Sequence, residues 1–210
     1  MSRHTWITGT CWLIRKTIMQ LGHQGRQFPA SADGGKMIRE GKLGPVTFVK
    51  TGRYKNKPLE APVWRWYGKD DRQVPDTWIA VFQFEKQGCT TVFEGIQNSE
   101  REQTPEFCGR DARLVFDSIG QDAGRFEIYK DGPAWTMGGR GPEPVYRYDP
   151  SKAARWPNHM ENFLQCVRTG EKTRCNEDEA FIETATFMMS VESYHKKRQV
   201  RWDHQKEEIV

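Results

Sequence analysis

At 210 residues the chain is long enough for one domain with a substantial core, or for a domain with a piece of a second. Hydrophobic content of 36% is low and charged content of 29% is high, but 12% aromatic residues, with eight tryptophans, exclude a disordered polypeptide. The net charge of +4 comes without a basic run interleaved with aromatics, which argues against nucleic-acid binding.

Five cysteines, Cys11, Cys89, Cys108, Cys166 and Cys175, include no Cys-x-x-Cys, and no histidine pair has metal-ligand spacing. Free thiols in a reducing compartment and no bound metal are therefore expected. The apolar stretch around Trp6, Ile7 and Cys11 to Ile14 is short, is followed by Arg15 and Lys16, and carries no small-residue cleavage pattern. No run is long enough to span a bilayer. The expectation is a soluble cytoplasmic protein without a membrane partner.

In chain order, residues 1–16 show no periodicity. Thr17 to Leu21 reads as a short buried strand ended by Gly22. A helix follows from about Pro29 to Glu40, weakened at Gly34 and Gly35 by about 1 kcal/mol each relative to Ala, and stopped by Gly41 and Gly44. Val46 to Arg53 is rich in β-branched and aromatic residues and predicts a strand. The segment from Tyr54 to Asp76, with Pro58, Pro62 and Pro75 among Trp64, Trp66 and Tyr67, reads as a loop pinned by aromatics.

Trp78, Ala80, Phe82 and Phe84 then alternate with Ile79, Val81, Gln83 and Glu85, and Lys86-Gln87-Gly88 turns the chain into a second strand over Thr90 to Glu94. Further strands are expected at Arg113 to Asp117 and Arg125 to Lys130, followed by a loop rich in Gly and Pro from Pro133 to Pro157. Next, Met160, Phe163, Leu164 and Val167 fall at helical spacing and predict an amphipathic helix with that stripe buried, closed by Gly170. Asn176, with Glu179 three positions on, caps a longer helix that runs to about His195 and ends in cations. A short strand at Val200 to Trp202 follows. Strands joined by short turns, with helices at the two ends of the chain, give an α+β class: an open, mostly antiparallel sheet with helices on one face.

The order Asn158-His159-Met160-Glu161-Asn162-Phe163-Leu164-Gln165-Cys166-Val167-Arg168-Thr169-Gly170, then an acidic-capped helix, then Val200-Arg201-Trp202-Asp203, resembles the C-terminal end of Gfo/Idh/MocA-type oxidoreductases. Gln20-Leu21-Gly22-His23-Gln24-Gly25-Arg26 and Ile38-Arg39-Glu40-Gly41-Lys42-Leu43-Gly44 extend the resemblance toward the start of the chain. The resemblance implies that residues 1–44 are the end of a dinucleotide-binding domain, preserved as a remnant Rossmann-type strand and helix. It implies that residues 45–210 are the sheet domain of such an enzyme, with NAD or NADP as cofactor and a small sugar-like or polyol substrate.

The family's chemistry is less complete. A dinucleotide needs a glycine-rich turn between a strand and a helix, and Gly139-Arg140-Gly141-Pro142-Glu143-Pro144 puts prolines where the helix should start. The family's Glu-Lys-Pro is missing: Glu85-Lys86-Gln87 lies in a hairpin turn and Glu171-Lys172-Thr173 in a link between helices. None of the five histidines follows an aspartate by four positions, and only a short polar bridge, Trp66 to Gln73, stands where the central catalytic helix would be. No catalytic or cofactor-binding residue is assigned.

What carries over is the turn containing His23 and Arg26, which in relatives faces the nicotinamide and substrate. Arg26 would meet an anionic or hydroxylated ligand, His23 would move a proton, and Trp64 would stack on a sugar. Against this stand a local carboxylate partner for Arg26, a solvated His23 and a packing role for Trp64; for the turn, these outweigh the functional reading. His159 and Cys166 are read as structural. Two readings follow: a shortened oxidoreductase not competent alone, or a non-catalytic module that binds or oligomerises through its exposed sheet face. In either, a homo-oligomer or pairing with a full-length relative is expected.

Overall fold

The computed structural model describes residues 18–54, 77–96, 104–117, 124–130 and 143–210. It is α+β, as its sequence predicts, and divides into two compact units: Phe28–Arg155, and Met1–Gln27 with Trp156–Val210.

The first unit holds helix α1 (Pro29–Arg39) and strands β1 (Val46–Tyr54), β2 (Thr77–Phe84), β3 (Cys89–Ile96), β4 (Glu106–Gly109), β5 (Ala112–Phe116), β6 (Phe126–Lys130) and β7 (Tyr146–Arg147). They form one seven-stranded sheet in the order β2-β3-β1-β4-β5-β6-β7. Every pairing is antiparallel except β1 with β3, where Phe48 stands beside Thr90 and Thr51 beside Phe93.

The β2–β3 hairpin forms where the alternation predicts, and Gly88, with φ of 61°, closes its turn. Trp78, Ala80 and Phe82 lie on the more buried side, and Trp78 stacks on Phe93 with ring centroids 5.0 Å apart. β5 and β6 fall within a residue of their expected bounds, whereas β4 and β7 have no clear alternation to announce them.

The core lies between α1 and strands β5 and β6. Leu43, Leu114 and Phe126 are at most 1% exposed, with Ala30, Ala112, Ile128 and Tyr148 around them and Met37 and Ile38 of α1 packed against the group. Gly34 has a positive reason to sit in this helix. A β-carbon there would come within 3.0 Å of the Phe116 ring, so glycine lets α1 lie close to the sheet, offsetting its poor helix propensity.

The second unit holds α2 (His159–Thr169), α3 (Glu177–Lys196) and a terminal ladder of β8 (Trp202–Asp203) with β9 (Glu208–Ile209). Both helices begin and end where their caps predict. Asn158 and Glu161 form a reciprocal capping box, each accepting a backbone N–H of the other at 2.9 Å, and Gly170 takes the left-handed conformation, φ 75°, that ends α2. The Asn176 side chain accepts the N–H groups of Asp178 and Glu179. α3 meets the terminal ladder through the edge of Phe181 on Trp202, centroids 5.8 Å apart.

One expectation is reversed. The stripe on α2 is not buried: Met160 is 61% exposed and Val167 52%, with Leu164 exposed as well. The inward side of the helix is Asn162 and Cys166, with Phe163 half-buried beside them. A polar buried face is invisible to hydrophobic periodicity, because what fixes it is hydrogen bonding rather than area.

Candidate functional site

The turn from Ile18 to Gln27 is built by polar contacts with the link between α2 and α3. Residues 18–21, read from sequence as a strand, have no ladder partner among the described residues. Instead the Thr173 hydroxyl donates to the Met19 carbonyl at 2.7 Å, and Leu21 N–H donates to the Cys175 carbonyl at 2.7 Å. Both anchors are buried. The chain then tightens: His23 N–H donates to Leu21 O and Arg26 N–H to His23 O, leading into a one-turn 3₁₀ helix over Gln24–Gln27.

Gln27, only 3% exposed, pins the end of this turn. Its Nε2 faces Asn162 Oδ1 at 3.5 Å, and the same oxygen accepts Arg174 N–H at 3.0 Å. Asn162 Nδ2 is 3.6 Å from the buried Cys166 sulfur, while the Cys175 sulfur faces the His23 carbonyl at 3.7 Å. These two thiols pack and bond; neither has the exposed, electropositive setting of a reactive cysteine.

The chemically interesting groups are on the outer side of the turn. Glu179 and Glu183 stand one helical turn apart on α3, so their carboxylates share a face. Arg26 NH2 meets Glu179 Oε2 at 2.9 Å, and Arg26 NH1 donates to Glu183 Oε1. The other oxygen of Glu183 lies against His23 Nδ1 but accepts no hydrogen bond. One carboxylate is therefore in contact with both side chains of the turn, and bonds to Arg26 alone.

The Arg26 side chain is 41% exposed. Partial burial opposes its charge, but the hydrogen bond to Glu179 and the charge of Glu183 outweigh this and hold the guanidinium above its ordinary pKa. Sequence reading found His23 and Arg26 and weighed a local carboxylate partner for Arg26, but it placed Glu179 only at the cap of its helix and did not name Glu183.

The other candidates separate. Trp64 lies outside the described residues, as do Trp66 and Tyr67 and residues 139–142 of the glycine-rich loop. His159 is the first residue of α2, where Gln20 Nε2 lies 2.7 Å from its Nδ1 and donates to its carbonyl at 2.8 Å. That makes it a tie between the turn and α2. Among the described residues no group of three His, Cys, Asp or Glu side chains is placed to hold a metal ion.

A bound dinucleotide would need a helix N-terminus open to its pyrophosphate. α1 opens on Pro29, which has no N–H, directly from the 3₁₀ helix Gln24–Gln27, with no strand before it among the described residues. The first amides of α2 are closed by the Asn158–Glu161 box. α3 is closed by Asn176 and carries Glu177, Asp178 and Glu179 in its first turn, which repel an anion. The described residues do not fit the pyrophosphate.

Solved structures share this architecture. An aldose-aldose oxidoreductase from Caulobacter crescentus, complexed with glycerol, matches 88% of this chain with a TM-score of 0.64 and 14% identity. Levoglucosan dehydrogenase, in complex with NADH and levoglucosan, matches 87% with a TM-score of 0.62 and 15% identity. UDP-N-acetylglucosamine 3-dehydrogenase from Acidithiobacillus ferrooxidans matches 80% with a TM-score of 0.53 and 14% identity. The fold is that of the Gfo/Idh/MocA-type oxidoreductases. The match covers 65%, 66% and 58% of those three chains respectively, so this chain spans less than two thirds of their length. No family model and no curated protein matches the sequence. No helix among the described residues is long and apolar enough to cross a membrane.

Proposed function

We propose that this chain is a shortened, cytoplasmic Gfo/Idh/MocA-type oxidoreductase. It serves NAD(P)-dependent oxidation or reduction of sugar-like or other polyol substrates, and does not hold the dinucleotide by itself. In this reading residues 1–44 are the end of a dinucleotide-binding domain and residues 45–210 the sheet domain, with His23, Arg26 and Trp64 on the substrate. The observation that carries it is the fold shared with sugar oxidoreductases over most of the chain. The closed helix entries support the second clause. Titrating the chain against NADH fluorescence is expected to show no saturable binding; micromolar affinity would overturn that clause. Saturation-transfer NMR with neutral polyols is expected to show contact that His23→Ala and Arg26→Ala weaken, and silence throughout sinks the substrate assignment.

A second reading is favoured by the sheet. Ile79 and Val81 project from β2, at one edge of the sheet, and are exposed. An edge strand with exposed apolar residues invites pairing. In this reading the chain is a non-catalytic module that binds a second copy or a full-length relative through that face. Sedimentation is expected to show a dimer that Ile79→Lys dissociates, and a monomer at all accessible concentrations excludes self-pairing.

A further inference from the structure

Helix α2 turns its best apolar stripe to solvent. Met160, Leu164 and Val167 stand at i, i+4 and i+7, so they form one line along the helix, and they are 61%, 43% and 52% exposed. We infer that this stripe is the seam of a symmetric contact with a second copy of the chain, in which two α2 helices pack antiparallel, Leu164 meets Leu164, and Glu161 of each copy meets Arg168 of the other. The contact goes beyond both readings of function, since it is carried by neither the His23–Arg26 turn nor the β2 edge.

The helix cannot roll its stripe inward, because its opposite side is held by hydrogen bonds. Asn162 Oδ1 accepts Arg174 N–H at 3.0 Å and faces Gln27 Nε2 at 3.5 Å, and the Cys166 thiol donates to the Lys172 carbonyl at 3.5 Å. Rotation would leave these buried polar groups without partners. A helix held in this way keeps its apolar line available to a neighbour. The charges beside the line then select that neighbour. Glu161 lies in the first turn of α2 and Arg168 in the last, and both are exposed. Seven residues apart, they fall on the same flank of the stripe. Glu161 Oε2 accepts the Asn158 N–H within the capping box, which holds the carboxylate at the N-terminal end of the line.

A two-fold axis perpendicular to α2 and passing beside Leu164 makes this pattern complementary to itself. Met160 packs on Val167 of the second copy, Leu164 packs on its own equivalent, and the adjoining flanks bring Glu161 to Arg168 at both ends of the seam. Parallel pairing loses both ion pairs, because the two charged flanks then lie on opposite sides of the seam. A partner surface of one sign would satisfy one end of the line and repel the other. Three apolar side chains from each copy make a small seam, so the pairing is reversible, with an expected Kd of about 10–100 µM.

The test is sedimentation equilibrium of the full chain from about 1 to 500 µM, in wild type and in an Ile79→Lys background that removes any pairing through β2. In that background a reversible dimer is expected. Leu164→Glu, at an exposed position and shown by circular dichroism to keep its helices, is expected to weaken it by about thirtyfold or more. Glu161→Lys and Arg168→Glu place like charges across the seam, and each alone is expected to weaken the dimer by about tenfold. An equimolar mixture of these two variants is expected to regain the affinity of the unmutated seam, since each supplies the charge the other lacks, and that recovery also shows both to be folded. A monomer throughout, or a dimer indifferent to Leu164→Glu, overturns the α2 seam. A dimer that Ile79→Lys abolishes assigns the pairing to β2 and overturns it as well. A mixture that associates no better than its parts overturns the antiparallel pairing.

Discussion

The two units of this chain are built on opposite principles. Between α1 and the sheet, Leu43, Leu114, Phe126 and Ile128 exclude water by area alone, with no polar side chain among the most buried members. In the unit that carries the turn, the buried residues are Gln27, Asn162, Thr173, Cys166, Cys175 and Ala180, and what joins them is mainly hydrogen bonding. Apolar burial is strong but non-directional; it secures a sheet without fixing any one atom. Hydrogen bonds are directional, and here they fix the path of the turn atom by atom.

Substitutions can break this contrast, beginning with the largest effect. Leu114→Ala removes a fully buried side chain from the apolar core and is expected to lower stability by about 2–5 kcal/mol in denaturant unfolding. Thr173→Val keeps the shape but leaves the half-buried Met19 carbonyl without its donor, an expected loss of about 1 kcal/mol. Its signature should be local: hydrogen exchange at Leu21 accelerates while β5 and β6 keep their protection, and a uniform change across both units would contradict the contrast.

Asn158→Ala opens the capping box at the start of α2 and is expected to cost about 1 kcal/mol, read in thermal unfolding. The smallest effect is electrostatic. Asp203 accepts the backbone N–H groups of Lys206 and Gln205, which hold its pKa below the ordinary carboxylate value. Its contribution is present above the unfolded pKa of about 3.9 and is lost as pH falls through the lower folded value. Asp203→Asn should therefore lower stability slightly at neutral pH, flatten the acid side of the stability profile, and make no difference once the pH is below the folded pKa.

The same contrast explains what could be read from sequence. α1, the β2–β3 hairpin and the caps at Asn158, Gly170 and Asn176 were legible because periodicity, turn chemistry and caps are local signals. The burial of α2 was not, since Met160, Leu164 and Val167 form the better apolar stripe yet face outward, while Asn162 turns inward to accept Arg174 N–H and face Gln27. The strand expected at residues 17–21 failed for a related reason: its described backbone groups are anchored to Thr173 and Cys175, far along the chain. At the candidate site, His23 and Arg26 were visible as residue types in a familiar turn. Their pairing with Glu179 and Glu183 was not, because only the fold brings residues 179 and 183 to residues 23 and 26.

The parallel contact of β1 with β3 also sets an order of assembly. The β2–β3 hairpin closes a short loop and can form early, whereas joining Phe48 to Thr90 must bring together residues distant in sequence. The hairpin therefore arrives at the sheet as a preformed ribbon that adds to one side of β1. Until it docks, β1 shows a free edge, and the speed of that docking governs how long the nascent chain is open to aggregation.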